Sequence, residues 1–236
     1  MSRRIAIILA RGGSKRLPRK NVLPLGGRPM LVWSVRAALD AGCFERVLVS
    51  TDDEAIATVG REAGAEVPFL RDVAADDLAP SSEATRGALL QAESHWGEGY
   101  DVVAQLMANC PLRTAQDIRD AAAAFDAGAA PAQISAFRFG WMNPWWAARL
   151  QGDGQPEWLF PEARVARSQD LPPLYCPSGA LWLARRDDFL AGGSFYLPGH
   201  TLHPMEWMSA MDIDDEDDLT MAEACMQLRL RRERAA

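Results

Sequence analysis

The first half of the chain alternates short apolar runs with longer segments in which apolar residues recur every three or four positions. Apolar runs of this length are typical of buried strands, and the longer spacing is typical of helices that pack on a sheet. The predicted strands are residues 4–10, 46–50, 65–70 and 101–107, and the predicted helices are residues 30–42, 54–64, 82–96 and 115–128. Four strand–helix pairs in succession predict an α/β fold with three layers, in which a mostly parallel central sheet is covered by helices on both faces.

Polar residues mark the predicted helix starts. Thr51 or Asp52 is the expected N-cap of the second helix, Ser82 of the third and Thr114 of the fourth. Sheets of this kind bind ligands beyond the carboxyl ends of their strands. The loop after the first strand and the "STDD" turn at 50–53 both lie at that edge, so we expect the site there.

From about residue 130 the pattern changes to short apolar stretches, aromatic residues and turns. Residues 132–139 and 179–184 are predicted strands, and an acidic turn at 212–218 precedes a final helix. The sequence contains no repeat and no linker-like segment. We therefore expect a single domain over 1–236, in which roughly 138–180 forms a lid or subdomain.

Composition excludes several classes of protein. The net charge is −7 over 236 residues, which argues against a general nucleic-acid binder. No stretch approaches the roughly 20 apolar residues that span a bilayer, so no membrane partner is expected. The four cysteines are far apart and form no CxxC pair, which favours free thiols over a metal cluster. These features together predict a cytoplasmic protein.

The loop "LARGGSKRLPRKN" at 9–21 concentrates five Lys and Arg residues around two glycines. It matches neither the G-x-x-x-x-G-K-[ST] phosphate loop nor the G-x-G-x-x-G dinucleotide fingerprint. Adjacent glycines let backbone N–H groups approach an anion closely, and the flanking cations offset its charge. A glycine turn with solvated charges is the alternative, and composition alone does not decide between the two.

The same segment resembles the opening signature of the acylneuraminate cytidylyltransferases, the CMP-sialic acid or CMP-nonulosonic acid synthetase family. The family pattern is approximately A-R-G-G-S-K-x-[IL]-P-x-K-N, and residues 10–21 match every defined position. The resemblance continues in family order through "VLVSTDDEAIA", "GAEVPFLR", "PLRT", "RSQDLPPLY", "GALWLA" and "MDIDDEDDL". It covers essentially the whole chain.

The resemblance implies a Mg²⁺-dependent enzyme that joins CTP to a nonulosonic acid and releases pyrophosphate. It implies the Rossmann-like, three-layer nucleotide-diphospho-sugar transferase fold. It also implies a homodimer, with 138–180 as a sugar-side lid or dimerisation region. The related octulosonate (Kdo) enzymes have Pro where this chain has Asn21, which favours the nine-carbon branch. A Kdo-like or other sugar nucleotidyltransferase, and a non-catalytic nucleotide-sugar-binding protein, remain the alternatives.

Site residues carry over from the family at matching positions. Arg11, Lys15 and Lys20 would bind the triphosphate, and Asn21 would read the cytosine with help from Arg71 and Ser82. The implied nucleotide site comprises Ala10, Arg11, Gly12, Gly13, Lys15, Lys20, Asn21, Arg71 and Ser82, and the implied catalytic set comprises Arg11, Lys20, Asp212 and Asp214.

Asp212 and Asp214 are the expected metal ligands. In an extended segment they lie on one face, because side chains alternate with a period of two. Carboxylate oxygens suit Mg²⁺, because it is a hard cation that takes oxygen ligands and can bind carboxylate and phosphate oxygens together.

The expected sugar-binding residues are Gln105, Arg167, Gln169 and Ser178. Arg167 would pair with the sugar carboxylate. The family often reads L-Q-P-T-S-P-L-R where this chain reads "LMANCPLR", so Met107 replaces a Gln that is normally near the sugar. The Asn of the family's N-G-A is Ser178 here. Both departures favour a nonulosonic acid other than ordinary sialic acid, such as a legionaminate or pseudaminate relative.

Two further stretches are open to more than one interpretation. Trp141, Trp145 and Trp146 in "WMNPWW" could line a pocket for acyl groups or form a dimer contact or satellite core, and we favour the second. His200 and His203 could bind a metal or act as bases, but packed or surface histidines are the more common case.

Overall fold

The computed structural model describes residues 2–71 and 80–235. The strands are β1 (Arg4–Leu9), β2 (Pro24–Leu25), β3 (Arg28–Pro29), β4 (Arg46–Ser50), β5 (Val102–Met107), β6 (Ala132–Arg138), β7 (Ala148–Leu150), β8 (Pro156–Trp158), β9 (Tyr175–Arg185) and β10 (Thr201–Met205). The α-helices are α1 (Met30–Ala41), α2 (Glu54–Glu62), α3 (Ser81–Trp96), α4 (Ala115–Ala127), α5 (Arg186–Gly192) and α6 (Glu216–Ala235).

The central sheet is mostly parallel, as the strand–helix alternation predicts. Its six strands lie in the order β10-β6-β9-β5-β1-β4. β1 pairs in parallel with both β4 and β5, and β10 pairs in parallel with β6. β9 is antiparallel to its neighbours β5 and β6. The carboxyl ends of β1, β4 and β5 therefore meet at one edge, and the loops that follow them form one surface.

Helices cover both faces of the sheet because successive strand residues point to opposite sides. Ala6 and Ile8 of β1 pack in a cluster with residues of α1, α2 and α4, whereas Ile5 and Ile7 pack in a second cluster with residues of α3 and α5. A third cluster joins α6 to the short β2–β3 hairpin and the start of α1. α6 thereby anchors the segment that carries Asp212 and Asp214.

Three local predictions are wrong. Residues 65–70 form no strand: Glu66 makes an isolated bridge to Leu48, and Pro68 lacks the N–H that a continued ladder needs. Asp53, rather than Thr51 or Asp52, caps α2, since its side chain accepts hydrogen bonds from the N–H groups of residues 55 and 56.

The N-cap of α3 is Pro80, which has no side-chain donor or acceptor, and the helix begins at Ser81. Ser82 lies inside the first turn and is buried, so it is not the cap. The predicted cap of α4 is confirmed: Thr114 forms a capping box with Asp117.

The segment between β6 and β9 contains the β7–β8 hairpin, joined antiparallel, and several 3-10 turns. We call residues 139–174 the arm. Trp145 packs edge-on against Phe160, and the Trp146 indole donates to the carbonyl of Ala163. Trp141 is 84% exposed. Two of the three tryptophans thus hold the arm together, and the third faces outward.

Among the helices within residues 2–71 and 80–235, none is long and apolar enough to cross a membrane. The cysteines in the same part of the chain are Cys43, Cys110, Cys176 and Cys225, and all are free thiols as predicted.

Candidate active site

The loop after β1 is held in place from two sides. The N–H of Gly12 donates to a carboxylate oxygen of Asp52 at 2.8 Å. A Cβ at position 12 would lie 2.9 Å from the Cβ of Asp53, so only glycine allows this approach. On the other side, the buried Asn21 amide donates to the carbonyl of Arg11 at 2.9 Å. The predicted cytosine reader therefore also shapes the loop.

This loop encloses a cavity of about 300 Å³ at the carboxyl edge of the sheet. Its lining is Arg11, Ser14, Lys15, Arg16, Lys20 and Asp214. The structure thus brings the three predicted triphosphate ligands together with one predicted metal ligand. Among the described residues that line it, four are cations and one is a carboxylate, so this part of the pocket is electropositive, which suits a polyphosphate.

Asp214 is surrounded by cations. Its Oδ1 accepts from Lys20 Nζ at 2.8 Å, and its Oδ2 accepts from Arg16 Nη2 at 2.6 Å. Asn109 Nδ2 adds a contact to Oδ1 at 3.3 Å. Burial alone would raise the pKa of Asp214, but Lys20 and Arg16 outweigh it and hold the pKa below its ordinary value. Asp214 is therefore ionised at neutral pH.

Asp212 is held by neutral groups instead. The Cys110 thiol donates to Oδ1 at 2.5 Å, and the N–H of Gly179 is 3.4 Å from Oδ2. Burial raises the pKa of Asp212, these two contacts lower it, and the nearby charge of Asp214 raises it again, with a net rise. The two aspartates lie near enough for the charge of Asp214 to act on Asp212, but Asp214 has cationic hydrogen-bond partners and Asp212 has neutral ones.

Residues after β5 complete the site, and the sequence reasoning did not assign them roles. Asn109 and Cys110 contact the two aspartates, and the side chain of Arg113 is fully buried and donates to the carbonyl of Ala180. Burial raises the pKa of Cys110 well above its ordinary value. Their position directly after a parallel strand, at the binding edge, is the signal that could have identified them.

Arg71 reaches the same edge from the end of the 65–70 segment. Its N–H donates to the carbonyl of Thr51 at 2.7 Å, and its side chain is buried, with Nε unpartnered in the part of the chain that is described. Burial lowers the pKa of Arg71, although the charge of Asp52 opposes this. Ser82 is buried in α3. The nucleotide roles of both residues stay predictions.

At the predicted sugar end, two polar residues are already bonded inside the protein. Gln105 accepts from Thr85 Oγ1 at 2.6 Å and donates to Ser81 Oγ at 3.3 Å. Ser178 is buried, and its hydroxyl is 3.2 Å from that of Ser135. Their sugar-binding roles stay predictions.

Met107 closes off this end of the site with Gly179. A Cβ at position 179 would lie 2.6 Å from Met107 Cγ and 3.2 Å from Asp212 Oδ1. The thioether side chain therefore packs directly over the backbone that donates to Asp212. An apolar wall stands where the family pattern has an amide.

Arg167 and Gln169 lie on the arm, in or beside a 3-10 turn, and both are exposed. Arg167 pairs with Asp170 at 2.7 Å. Within the described residues, neither is in hydrogen-bond contact with the two aspartates or the basic loop. Their sugar-binding role needs a movement of the arm or a second subunit, and stays a prediction.

The two histidines show packed environments. His200 contacts the carbonyl of Leu197 at 2.8 Å and lies edge-on to Tyr196. Burial lowers the pKa of His203. In residues 2–71 and 80–232, no group of three or more His, Cys, Asp and Glu side chains could hold a metal by itself. A protein-only metal centre is therefore not part of this described region.

The donor set at Asp212 and Asp214 fits a hard cation that takes its other ligands from phosphate. Both residues offer carboxylate oxygens, and Asp214 lines the cationic cavity. Such a site can neutralise a polyphosphate, align it and stabilise charge on a leaving pyrophosphate, which are the requirements of nucleotidyl transfer.

Comparisons with known proteins agree with this chemistry. Residues 5–135 match a family described as "Cytidylyltransferase". The pseudaminic acid cytidylyltransferase of Campylobacter jejuni is 32% identical over 220 residues, which cover 92% of this chain and 94% of the relative. The CMP-N,N'-diacetyllegionaminic acid synthase of Legionella pneumophila is 31% identical and covers 95% of this chain and 96% of its own length.

A solved structure of CMP:2-keto-3-deoxy-manno-octonic acid synthetase complexed with CTP superposes with a TM-score of 0.71. The alignment covers 97% of this chain and 100% of that chain at 15% identity, so it supports the fold alone. The predicted α/β nucleotidyltransferase architecture is confirmed by this likeness and by the sheet order.

Proposed function

This chain belongs to the cytidylyltransferase family of CMP-nonulosonic acid synthetases, and from that membership we propose that it joins CTP to a nonulosonic, sialic-acid-like 2-keto sugar acid. The products are the CMP-sugar and pyrophosphate. The observation that carries the proposal is the cationic cavity after β1, which has a candidate metal ligand in its wall.

The basic loop supplies charge neutralisation and alignment. Arg11, Lys15 and Lys20 bind the triphosphate, and the fixed backbone at Gly12 lets N–H groups approach its oxygens. Asn21, Arg71 and Ser82 lie along the base side of the nucleotide. Because the sugar's anomeric hydroxyl attacks the α-phosphorus while pyrophosphate leaves, alignment of these groups matters more than covalent help.

Asp212 and Asp214 would hold Mg²⁺ together with phosphate oxygens. When bound, the ion offsets the charge that develops on the α-phosphate and the leaving pyrophosphate. Lys20 contacts Asp214 and lines the cavity, so it is positioned to bridge the metal site and the triphosphate.

The sugar end favours a nonulosonic acid other than ordinary sialic acid. Met107 packs against Gly179 beside Asp212, so an apolar surface replaces a hydrogen-bonding amide there. Gln105, Ser178, Arg167 and Gln169 are the proposed polar partners. The two bacterial relatives, named for pseudaminic and legionaminic acids, support the same class of acceptor.

We also propose a homodimer, built through the arm. Its outward apolar side chains include Trp141, Leu150 and Val165, which are 84%, 78% and 85% exposed. Sedimentation equilibrium that gave the monomer mass at micromolar concentration would exclude it. Since CTP is a cytoplasmic nucleotide, we place the reaction in the cytoplasm, which cell fractionation would test.

The decisive experiment is pyrophosphate release from CTP and Mg²⁺ with N-acetylneuraminate, legionaminate, pseudaminate and Kdo in parallel. We expect release with legionaminate or pseudaminate, no release with GTP or UTP, and loss of release with EDTA. Release with Kdo alone would support the Kdo-like alternative. Binding of CTP without release from any of the four sugars would support a non-catalytic binding protein.

A further inference from the structure

Arg16 occupies a position that the family pattern leaves undefined, yet it is in the closest contact with Asp214. Its Nη2 is 2.6 Å from Asp214 Oδ2, while Lys20 holds Oδ1 at 2.8 Å. Both oxygens of a proposed metal ligand are therefore bonded to cations. Arg16 also lines the cavity proposed for the triphosphate.

This arrangement sets two demands against each other. A metal ion at Asp214 would share the roughly four lone-pair sites of the carboxylate with Lys20, Arg16 and Asn109, and the two cations would repel it. A cation that binds phosphate must likewise give up part of its contact with the carboxylate. Repulsion between the metal and these cations therefore favours the opening of at least one ion pair at Asp214 when metal and triphosphate fill the site.

Exposure indicates which pair opens. The Arg16 side chain is 67% exposed, whereas that of Lys20 is 14% exposed. An exposed ion pair is screened by water and costs little to break, whereas a buried one leaves an uncompensated charge. The Arg16 side chain belongs to none of the three hydrophobic clusters, so it can move without disturbing the core.

We infer that Arg16 is a further triphosphate-binding residue that exchanges partners: it pairs with Asp214 in the nucleotide-free site and turns to the phosphates when CTP enters. Its planar fork suits bidentate contact with phosphate oxygens. The transfer frees Asp214 Oδ2 for the metal. The inference rests on the proposed function, since it takes CTP as the ligand and Asp214 as a metal ligand.

The test is a double-mutant cycle on the full chain. CTP affinity is measured by calorimetry in the presence of EDTA. Arg16→Gln should weaken CTP binding about tenfold, since a charge-assisted contact is lost. Asp214→Asn should tighten it about threefold to tenfold, since both cations are released. In the Arg16→Gln background the Asp214→Asn gain should shrink, because there is no arginine to release.

Arg19→Gln is the matched control. Arg19 is an exposed arginine of the same loop, and it is not among the described residues that line the cavity. Its substitution removes the same charge from the chain, and we expect CTP affinity within about twofold of the wild type. The control separates a specific contact from the general field of the basic loop.

Metal affinity in the absence of nucleotide is a second readout. Substitution of a residue that only binds phosphate would not change it. Titration of free Mn²⁺ by electron paramagnetic resonance should show tighter binding to Arg16→Gln than to wild type, by about threefold or more, because Asp214 loses a competing cation. The same titration of Arg19→Gln should match wild type.

An additive cycle, or Mn²⁺ binding that Arg16→Gln leaves unchanged, would overturn the exchange. Neither measurement uses a sugar. If no sugar released pyrophosphate while the cycle showed coupling, the acceptor assignment would fail and the Arg16 exchange would stand. If CTP did not bind wild type or any variant, both would fall.

Discussion

The two aspartates of the site are two residues apart in the chain, and one has cationic hydrogen-bond partners whereas the other has neutral ones. Asp214 faces Arg16 and Lys20, which hold its pKa below the ordinary value. Asp212 faces a thiol and a backbone N–H, and burial raises its pKa. We call these the cationic side and the neutral side of the site.

From this difference we expect the two carboxylates to have different roles when metal and nucleotide bind. On the cationic side, the proposed exchange means that Asp214 balances Arg16 and Lys20 in the empty site and would become available to a metal as nucleotide enters. On the neutral side, no ion pair of Asp212 is present in the described residues, so this carboxylate would bind a metal without displacing a cation. Burial makes its lone charge costly, and a divalent cation relieves that cost.

The substitution with the largest expected effect is Asp212→Asn. We expect kcat to fall about a thousandfold or more, because the ligand that no other group balances loses its charge. The thermal midpoint should stay unchanged or rise, since burial penalises the ionised carboxylate and Asn carries no charge. Steady-state pyrophosphate release and circular dichroism check the two parts.

Asp217→Asn is the control for that variant, since Asp217 is an exposed residue in the first turn of α6. It should retain nearly full turnover. Near-normal turnover in Asp212→Asn, with metal dependence retained, would remove Asp212 from the metal site and with it the proposed role of the neutral side.

Gly179→Ala should have the next largest effect, and it acts on the neutral side alone. The new Cβ would lie 2.6 Å from Met107 Cγ and 3.2 Å from Asp212 Oδ1, so the strand or the carboxylate must move. We expect a loss of about 1–3 kcal/mol in the free energy of unfolding and a roughly tenfold or greater fall in kcat. Denaturant unfolding and turnover assays measure both.

The accompanying change Met107→Ala should recover part of the stability, because it removes the atom that the new Cβ meets. Gly99→Ala is the control, since nothing lies within 4 Å of a Cβ built at that exposed position. Equal changes in unfolding free energy and kcat for Gly99→Ala and Gly179→Ala would show that crowding beside Asp212 does not affect stability or turnover.

The sequence was sufficient for strands β1, β4, β5 and β6 and for the second half of β9, but it did not predict β10. β1 and β5 are mostly apolar runs of six residues, which are typical of buried strands, whereas β10 contains His203 and Pro204 and shows no such pattern. The start of α3 was harder to predict. Ser81 and Ser82 are adjacent and both are favoured N-cap residues, whereas the N-cap in the structure is Pro80.

The environments of the two aspartates could not be predicted in the same way. They depend on residues about a hundred positions away, Asn109 and Cys110, and on Arg16, nearly two hundred positions away. Local patterns give no distance between such segments. Family resemblance was equally silent at position 16, which its pattern leaves undefined, so only the folded chain reveals the cationic side.

The smallest expected effect comes from the thiol that holds Asp212. Cys110→Ala removes a donor to a carboxylate, and we expect kcat to fall about threefold to tenfold. Cys110→Ser keeps a donor and should remain within about twofold of wild type. Cys43→Ala, a partly buried thiol beside the amino ends of the strands, is the control and should not change turnover.

The pH profile separates a hydrogen-bonding role for Cys110 from a packing role. The thiol contact favours the ionised form of Asp212 and lowers its pKa, so its removal should raise that pKa. Because metal binding needs the carboxylate, the acid limb of kcat/KM should move to higher pH in Cys110→Ala and stay in place in Cys110→Ser. An acid limb that is the same in both variants and in wild type would mean that Cys110 only fills space beside Asp212, and the neutral side would then reduce to burial alone.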